Sequence, residues 1–190
     1  MSATQPIKNK NDLTRFRNYY KEEELKPRNY ALIVMGLNSA LRIGDILSLR
    51  WEDVRRESAY RRHIWIREQK TGKDNMFPVN PMMVEALEFY RHYLTGYSSE
   101  KYIFESQKDR ENPISRSQAF RIIKAADQCG LREHISCHSL RKTFGYYAWK
   151  QGTPPALLMS IYNHSSYEIT KRYLCIDQQE KDKVYMEIQL

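Results

Sequence analysis

Several residues in this sequence have side chains suited to binding and cleaving a phosphate ester. His138 and Arg141 are three positions apart in a segment with helical periodicity, so both side chains lie on one face and can contact one small anion. Arg42 falls between two predicted helices, where its guanidinium can enter a cleft. Two guanidinium groups that converge on one phosphate bind its oxygens in bidentate fashion and neutralise their charge. The pattern therefore indicates a site for a single phosphate group.

The composition favours a polyanionic partner. The 190 residues include 31 Lys and Arg against 23 Asp and Glu, a formal charge of +8, and 41% of them are hydrophobic. That hydrophobic share argues against a disordered chain, and no apolar run approaches the ~20 residues that a membrane span needs. Cys129, Cys137 and Cys175 lack the paired spacing of zinc or redox sites, so we expect reduced thiols, a cytoplasmic location and no bound metal.

The periodicity indicates a mainly helical α+β domain with one small antiparallel β-sheet. Residues 1–11 are polar, and we expect a flexible arm or the stub of a linker there, followed by one domain over residues 12–190. Residues 61–79 change to a two-residue period around Thr71-Gly72, which predicts a β-hairpin with a lysine at its tip. Helices are predicted near residues 13–20, 28–40, 44–51, 82–94, 116–128, 138–151, 155–162, 166–173 and 177–189.

Four motifs and a tyrosine occur in an order that is typical of one known family. They are ALRIGDILSLRW at residues 40–51, KTGK at 70–73, HSLRKTF at 138–144, NHSS at 163–166, and Tyr173. Together they resemble the catalytic domain of the tyrosine recombinases, the phage integrase family, over about residues 13–177. The resemblance implies the fold of that domain and the cleavage and rejoining of DNA strands through a 3′-phosphotyrosyl intermediate, with no cofactor.

The resemblance implies that Tyr173 is the nucleophile, that Arg42 and Arg141 bind the scissile phosphate, and that Asp45 orients Arg42. A phenol suits a metal-free reaction, because it can attack and later leave, so the phosphodiester energy is kept in a covalent intermediate. An ordinary tyrosine pKa of about 10 makes the phenol weak at neutral pH, so a base and a strong positive field are needed. Tyr167, six residues earlier, is a less favoured nucleophile.

The same resemblance implies roles for the remaining candidates. Lys70 would protonate the departing 5′ oxygen, with Lys73 on the other side of the turn as the alternative. His138 would act as an acid or base near the tyrosine, and His164 would hydrogen-bond a non-bridging phosphate oxygen. Other basic residues are expected to bind the DNA backbone on either side, with a steep salt dependence if about six or more phosphates are contacted. The candidates for these DNA contacts are Arg50, Lys73, Lys142 and Arg172.

The spacing between His164 and Tyr173 restricts their geometry. Nine residues on one straight helix make about 2.5 turns and ~13 Å, which leaves the two side chains on opposite sides. We therefore expect His164 to precede a helix cap at Ser165, and the segment to break or turn before Tyr173. Asn163 stands where the family most often has glycine, and asparagine tolerates the left-handed backbone that a turn requires there.

Partners and rival functions follow from the resemblance. It implies that the protein binds double-stranded DNA and forms a homotetramer on it. DNA-bending accessory proteins are further candidate partners. The amphipathic segment at about residues 177–190 is expected either to fold onto its own core or to dock on a neighbouring protomer. A type IB topoisomerase and a non-catalytic DNA-binding module are the rival functions. Most integrases also have an N-terminal core-binding domain, so we expect either a catalytic fragment or a relative of the short fimbrial-switch recombinases.

Overall fold

The structure is a computed structural model that describes residues 4–131, 134–176 and 178–188. These residues form a mainly helical domain with two small antiparallel sheets, so the expected fold class is confirmed. The elements in chain order are α1 (Lys10–Glu22), α2 (Pro27–Asn38), α3 (Ile43–Leu47), α4 (Trp51–Val54), β1 (Arg55–Arg56), β2 (Ala59–Tyr60), β3 (His63–Arg67), β4 (Asp74–Pro78), α5 (Pro81–His92), α6 (Arg116–Ile123), α7 (Ala125–Gln128), α8 (Cys137–Lys150), α9 (Pro155–Tyr162), α10 (Tyr167–Leu174) and α11 (Gln178–Glu187).

Helix α2 lies at the centre of the main hydrophobic core. It is buried from Asn29 to Leu37 and contacts α1, α5 and α8. Pro27 begins the helix, where the missing N–H has no intrahelical partner to lose. A Cβ on Gly36 would lie 2.4 Å from Leu140 Cδ1, so glycine is what allows α2 and α8 to cross this closely. The crossing fixes the part of α8 that begins with His138.

The predicted hairpin is formed by β3 and β4, which pair from His63 opposite Pro78 to Arg67 opposite Asp74. Two backbone hydrogen bonds close its turn, from Gly72 N–H to the Glu68 carbonyl at 2.8 Å and from Glu68 N–H to the Lys73 carbonyl at 2.9 Å. Gly72 has a φ of +66°, which a residue with a Cβ rarely adopts. Lys70 is therefore presented at the exposed tip of a defined turn.

A second, smaller core joins α8, α9 and α10. Ala40, Tyr162 and Leu174 are its buried members. A Cβ on Gly145 would lie 2.4 Å from Tyr162 Oη and 2.5 Å from Leu174 Cδ2, so the three helices meet where α8 has no side chain. Asn163 ends α9 with φ 54° and ψ 43°, which is the left-handed conformation expected of it.

The structure differs from the predicted elements in three places. The helix expected over residues 44–51 ends at Leu47, and Trp51 begins the separate helix α4. The single helix expected over residues 116–128 is two helices, α6 and α7, which are separated at Lys124. Residues 51–60 contain the short helix α4 and the two-residue strands β1 and β2, so a second sheet is present that the sequence pattern did not predict. Elements of two to four residues are too short to produce a hydrophobic period.

The segment expected to be a flexible arm packs against the domain where it is described. Ile7 is wholly buried, and its N–H donates to Thr143 Oγ1 at 2.9 Å. Lys8 Nζ donates to the Cys175 carbonyl at 3.1 Å. An isolated isoleucine in a polar segment gives no periodic signal, so its burial against α8 was not visible in the sequence.

The C-terminal helix α11 leaves apolar side chains in solvent. Val184, Tyr185, Met186 and Ile188 are between 52% and 80% exposed. Ile176, before the helix, packs instead on the smaller core. Asp177, Gln189 and Leu190, which belong to the predicted C-terminal segment, lie outside the described residues. No helix in the described part of the chain has both the length and the apolarity to cross a membrane.

Candidate active site

Arg141 is held in a fixed orientation by its own fold. It is 3% exposed, and its guanidinium donates to the carbonyls of Ala40 and, at 3.4 Å, of Tyr162. The guanidinium carbon also lies 4.7 Å from the centre of the Tyr162 ring. Ala40 lies two residues before Arg42, and Tyr162 is the last residue of α9. Arg141 therefore connects the segment that carries Arg42 to the end of α9.

His138 lies one helical turn before Arg141, at the start of α8. Ser136 caps this helix, and its hydroxyl accepts from the His138 N–H at 3.3 Å. Loss of solvent around the ring, followed by the positive charges of Lys142, Arg141, Lys70 and Arg42, lowers the pKa of His138. Burial and the four cations therefore both favour the neutral form of the ring.

Arg42 is the N-cap residue directly before α3 and forms an ion pair with a carboxylate that the sequence did not indicate. Arg42 Nη1 lies 2.7 Å from Glu68 Oε2, and the Glu68 side chain is wholly buried. The expectation that Asp45 orients Arg42 is replaced by this pair. The Asp45 carboxylate instead accepts from the Gln69 N–H at 2.9 Å, so it anchors the backbone next to Lys70. Both carboxylates thus act on the root of the hairpin turn.

Lys70 and its alternative, Lys73, both lie on the exposed hairpin turn. Both lysines are exposed, but Lys70 is among the cations whose charge lowers the pKa of His138. Across the turn, the Lys73 carbonyl accepts from the Glu68 N–H at 2.9 Å. Lys70 stays the preferred candidate, with Lys73 as its alternative.

The His164 side chain contacts α10, the helix that carries Tyr173. It lies in the turn between α9 and α10, and its Nδ1 is 3.1 Å from the Thr170 hydroxyl. That hydroxyl also donates to the Ser166 carbonyl at 3.2 Å. A hydroxyl has one proton, so the bond to Ser166 favours the tautomer in which His164 Nδ1 carries the proton and donates to Thr170. Burial, and then the charges of Arg141 and Arg42, lower the pKa of His164.

The expected geometry of this segment agrees with the structure except for the residue that caps the helix. His164 does precede the helix, although the cap is Ser166, whose side chain accepts from the Ile169 N–H at 3.3 Å, rather than Ser165. The expected turn lies between the end of α9 at Tyr162 and the start of α10, which is continuous from Tyr167 to Leu174. The turn before α10 alone brings the His164 ring to 5.3 Å from the Tyr173 ring.

Tyr173 is packed among groups that control its proton. Its ring centre lies 5.4 Å from that of Tyr162 and 5.4 Å from Lys142 Nζ. Burial raises the pKa of Tyr173 above its ordinary value of 10, while the charges of Arg141 and Arg42 and a hydrogen bond with Arg141 act in the opposite direction. Tyr167 lies on the first turn of the same helix, with Lys171 Nζ 5.7 Å from its ring.

Two of the four candidate DNA contacts are used by the fold. Lys142 is 0% exposed, and its Nζ donates to the Thr4 carbonyl at 2.6 Å, so it cannot reach DNA at the surface. Arg50 donates to the Glu100 carbonyl and stacks on Tyr102, 4.3 Å from the ring centre. Both contacts hold loops in place. Lys73 and Arg172 are exposed and stay candidates.

The six residues expected to act on the phosphate are thus brought together by four segments of the chain. Sequence reasoning missed Glu68, although its position could have been noticed: it continues the inward phase of Ile64 and Ile66 on β3. It also missed Thr170, for which a lone threonine on a helix gives no signal. Within the described residues, no group of three His, Cys, Asp or Glu side chains is arranged to hold a metal ion.

Known proteins share both the sequence and the fold. Residues 8–180 match the phage integrase family. The chain is 39% identical over 188 residues to a probable integrase/recombinase, YoeC, of Bacillus subtilis, and covers 97% of each sequence. It is 31% identical over 157 residues to a tyrosine recombinase of Pseudothermotoga lettingae, and the matched region covers 81% of this chain and 51% of that protein.

The fold is similar to that of a solved recombinase. The crystal structure of XerA recombinase superposes with a TM-score of 0.77 at 20% identity, over 100% of this chain and 66% of that chain. The chain thus spans nearly all of the Bacillus relative and about half of the Pseudothermotoga one. With a family match over most of the chain and a fold that assembles the family's motifs, this chain belongs to the phage integrase family, the tyrosine recombinases, which are DNA strand-cleaving and rejoining enzymes.

Proposed function

We propose that this chain carries out site-specific DNA recombination with Tyr173 as its nucleophile. The observation that carries the proposal is the position of Tyr173, which lies next to Arg141 and 5.3 Å from the His164 ring within one chain. A tyrosine that must attack a bound phosphate needs cationic groups beside its hydroxyl, because these stabilise both the phenolate and the charge that develops on phosphorus. Family membership supplies the reaction class.

The reaction balances with side chains alone. The Tyr173 oxygen forms a bond to phosphorus as its proton passes to a base, and the bond from phosphorus to the 5′ oxygen breaks. Lys70 gives a proton to that oxygen, so a free 5′-hydroxyl leaves. Arg42 and Arg141 bind the non-bridging oxygens, and His164 donates through Nε2 when it is protonated. A 5′-hydroxyl of the partner strand then attacks the phosphotyrosine and releases Tyr173.

His138 is suited to be the base, because its lowered pKa keeps the ring neutral at pH 7. A neutral ring can accept the Tyr173 proton, whereas an imidazolium cannot. The bound phosphate brings negative charge into a site whose cations otherwise disfavour protonation. The imidazolium that forms is therefore stabilised only when DNA is present.

Binding of double-stranded DNA and assembly on it form the wider part of the proposal. Exposed Lys73 and Arg172 flank the site and are suited to contact the DNA backbone. The apolar side chains that α11 leaves in solvent, Val184, Tyr185, Met186 and Ile188, support docking on a second protomer over folding onto the same chain. We propose a tetramer on DNA in which α11 makes this contact.

Covalent capture tests the reaction and selects the target sequence in a single experiment. The purified chain is incubated with a random-sequence library of nicked duplexes, from which the short strand diffuses away after cleavage, so the adduct is trapped. Denaturing gels should show a protein–DNA adduct enriched for one sequence, and Tyr173→Phe should form none. An adduct that persists in Tyr173→Phe would remove this residue from the mechanism.

The rivals give different results in the same system. Relaxation of supercoiled plasmid that lacks the captured sequence would favour a type IB topoisomerase. Binding without any adduct would favour a non-catalytic module. Recombination by the purified chain alone would show that DNA-bending accessory proteins are dispensable. Deleting residues after Cys175 should abolish the synaptic complex on a native gel, and an unchanged complex would refute docking by α11.

A further inference from the structure

The Lys70 turn and the Arg42 guanidinium must act on the same phosphate, although they belong to different elements. Arg42 directly precedes α3, while Lys70 lies on the exposed turn between β3 and β4. A two-stranded hairpin is held weakly by its own backbone, so its tip moves unless another group anchors it. The protein therefore requires a connection between the turn and the arginine.

The Glu68 carboxylate contacts both Arg42 and the turn that carries Lys70. Its Oε2 accepts from Arg42 Nη1 at 2.7 Å and from the Thr71 hydroxyl at 2.8 Å, and its Oε1 accepts from Asn75 Nδ2 at 3.2 Å. Thr71 follows Lys70 in the turn, and Asn75 lies on β4. One oxygen atom is thus shared by the arginine and the residue next to the lysine.

The carboxylate is charged despite its burial. Burial by itself would raise the pKa of Glu68, but the hydrogen bonds from Thr71 and Arg42 and the charge of Arg42 lower it below its ordinary value. A buried ionised carboxylate is costly unless its oxygens are satisfied, and here three side chains satisfy them. Loss of any one contact therefore weakens the others.

We propose that Glu68 is a positioning residue that couples Arg42 to the Lys70 turn, so that the guanidinium and the ammonium reach one scissile phosphate in a fixed relation. The inference rests on the proposed function. A purely structural role would affect every substrate equally. The coupling instead predicts that loss of the Thr71 contact slows the step in which Lys70 gives a proton to the departing oxygen.

Two other contacts hold the turn at Gln69, and a comparison with them shows what Glu68 contributes. The Asp45 carboxylate binds the Gln69 N–H, and Arg116 Nη2 donates to Gln69 Oε1 at 3.2 Å. The first contact holds the backbone of Gln69 from α3, and the second holds its side chain from α6, but neither involves the Arg42 side chain. Glu68 alone among these groups joins the turn to the phosphate-binding guanidinium.

The test uses a leaving group that needs no acid. In a nicked duplex of the captured sequence with sulfur in place of the bridging 5′ oxygen, cleavage releases a thiolate, and thiols have a pKa near ~8.5. Thr71→Val removes the hydroxyl that donates to Glu68, together with its longer 3.4 Å contact with the Lys73 N–H, and keeps both members of the Arg42–Glu68 pair. Because Thr71 is exposed, this variant has no core packing to disturb. Thr71→Ser keeps the hydroxyl and is the matched control.

We expect Thr71→Val to slow cleavage of the oxygen substrate about tenfold, the effect of one charge-assisted hydrogen bond, and to cleave the sulfur substrate at the rate of the unaltered chain. Thr71→Ser should restore the oxygen rate. Glu68→Gln should slow both substrates, and the oxygen one more, because it weakens the Arg42 contact as well. Equal slowing of both substrates by Thr71→Val, or unaltered rates in Glu68→Gln, would overturn the coupling.

Hydrogen exchange tests the same link without activity. The Gly72 and Gln69 amides are bonded at the two ends of the turn, so Glu68→Gln should speed their exchange in the free protein. Unchanged exchange at both amides would refute the coupling. If the unaltered chain formed an adduct with neither substrate, the proposed function would fail instead, so the two failures are distinguishable.

Discussion

The ammonium of Lys142 lies inside the protein, 5.4 Å from the centre of the Tyr173 ring. It is wholly buried, and it donates to the Thr4 carbonyl at 2.6 Å and to Cys175 Sγ at 3.6 Å. A cation in this place joins the N-terminal segment, α8 and the end of the nucleophile's helix. Lys142 therefore supports Tyr173 from within.

This position predicts that Lys142→Met destabilises the protein and leaves the salt dependence of DNA binding unchanged. Loss of a buried charge-assisted hydrogen bond costs about 1.5–3 kcal/mol, which urea denaturation measures as a lower unfolding free energy. The slope of log affinity against log salt concentration should equal that of the unaltered chain, because no phosphate contact is lost.

Arg172→Ala is the matched comparison for Lys142→Met, because Arg172 is an exposed cation on the last turn of α10. Loss of one phosphate contact should reduce the salt slope by about 1 and change stability little. A reduced slope in Lys142→Met would contradict its burial.

Thr170→Val should slow adduct formation by removing the group that fixes His164. Thr170 is wholly buried and valine has nearly its shape, so the main change is loss of the hydroxyl that meets His164 Nδ1 at 3.1 Å. The imidazole then loses the contact that holds its ring in place and can turn away from the phosphate. We expect a loss of about tenfold in cleavage rate, the effect of ~1.4 kcal/mol.

Thr170→Ser keeps the hydroxyl and controls for packing at this position. Nitrogen chemical shifts of His164 should report one tautomer in the unaltered chain and in Thr170→Ser, and a mixture in Thr170→Val. A single tautomer in all three proteins would show that Thr170 does not orient the ring.

The two histidines of the site make stability depend on pH in a defined direction. Burial, followed by nearby cations, lowers the pKa of both His138 and His164 from 6.5 in the folded protein. The unfolded chain therefore binds protons first as the pH falls through about 6.5, so this contribution is full above that pH and is lost below it.

Urea denaturation between pH 7.5 and 5.5 measures this effect. The unfolding free energy should fall less steeply in His138→Gln and His164→Gln than in the unaltered chain. His92→Gln, on the last turn of α5, is the matched control and should keep the original slope. A fall that is equally steep in all four proteins would refute the assignment.

The sequence predicts the residues of the site better than the contacts that support them. The family motifs and the two-residue period of the hairpin are local patterns, and the structure places Arg42, Lys70 and Tyr173 on the elements that they predicted. The partner of Arg42 depends instead on a contact across 26 positions, and the burial of Lys142 depends on a segment 138 positions away. No local period encodes such contacts.

Charge alone gives a wrong prediction at two positions. The basic character of Lys142 and Arg50 predicts DNA contacts, but one lies in the interior and the other stacks on Tyr102. A cation whose hydrogen bonds are satisfied by carbonyls or an aromatic ring can be buried or anchored. Composition counts such residues as surface charge, so only part of the +8 is available to a polyanion.

Gly145→Ala should disturb the site through packing. A Cβ at this position would lie 2.4 Å from Tyr162 Oη and 2.5 Å from Leu174 Cδ2, so α9 and α10 must move away from α8. Overpacking of this kind costs about 1–3 kcal/mol. Tyr162 also contacts Arg141 and Tyr173, so adduct formation should fall together with the melting temperature.

A double-mutant cycle separates this clash from a general loss of helix packing. Tyr162→Phe removes the oxygen nearest to the added methyl group, along with its 2.6 Å hydrogen bond to the Arg141 carbonyl. The double variant should be more stable than the sum of the single effects predicts, by about 0.5 kcal/mol or more. Gly145→Ala combined with Tyr93→Phe, an exposed residue at the end of α5, should be additive. Additivity in both pairs would place the cost of Gly145→Ala elsewhere than at the Tyr162 hydroxyl.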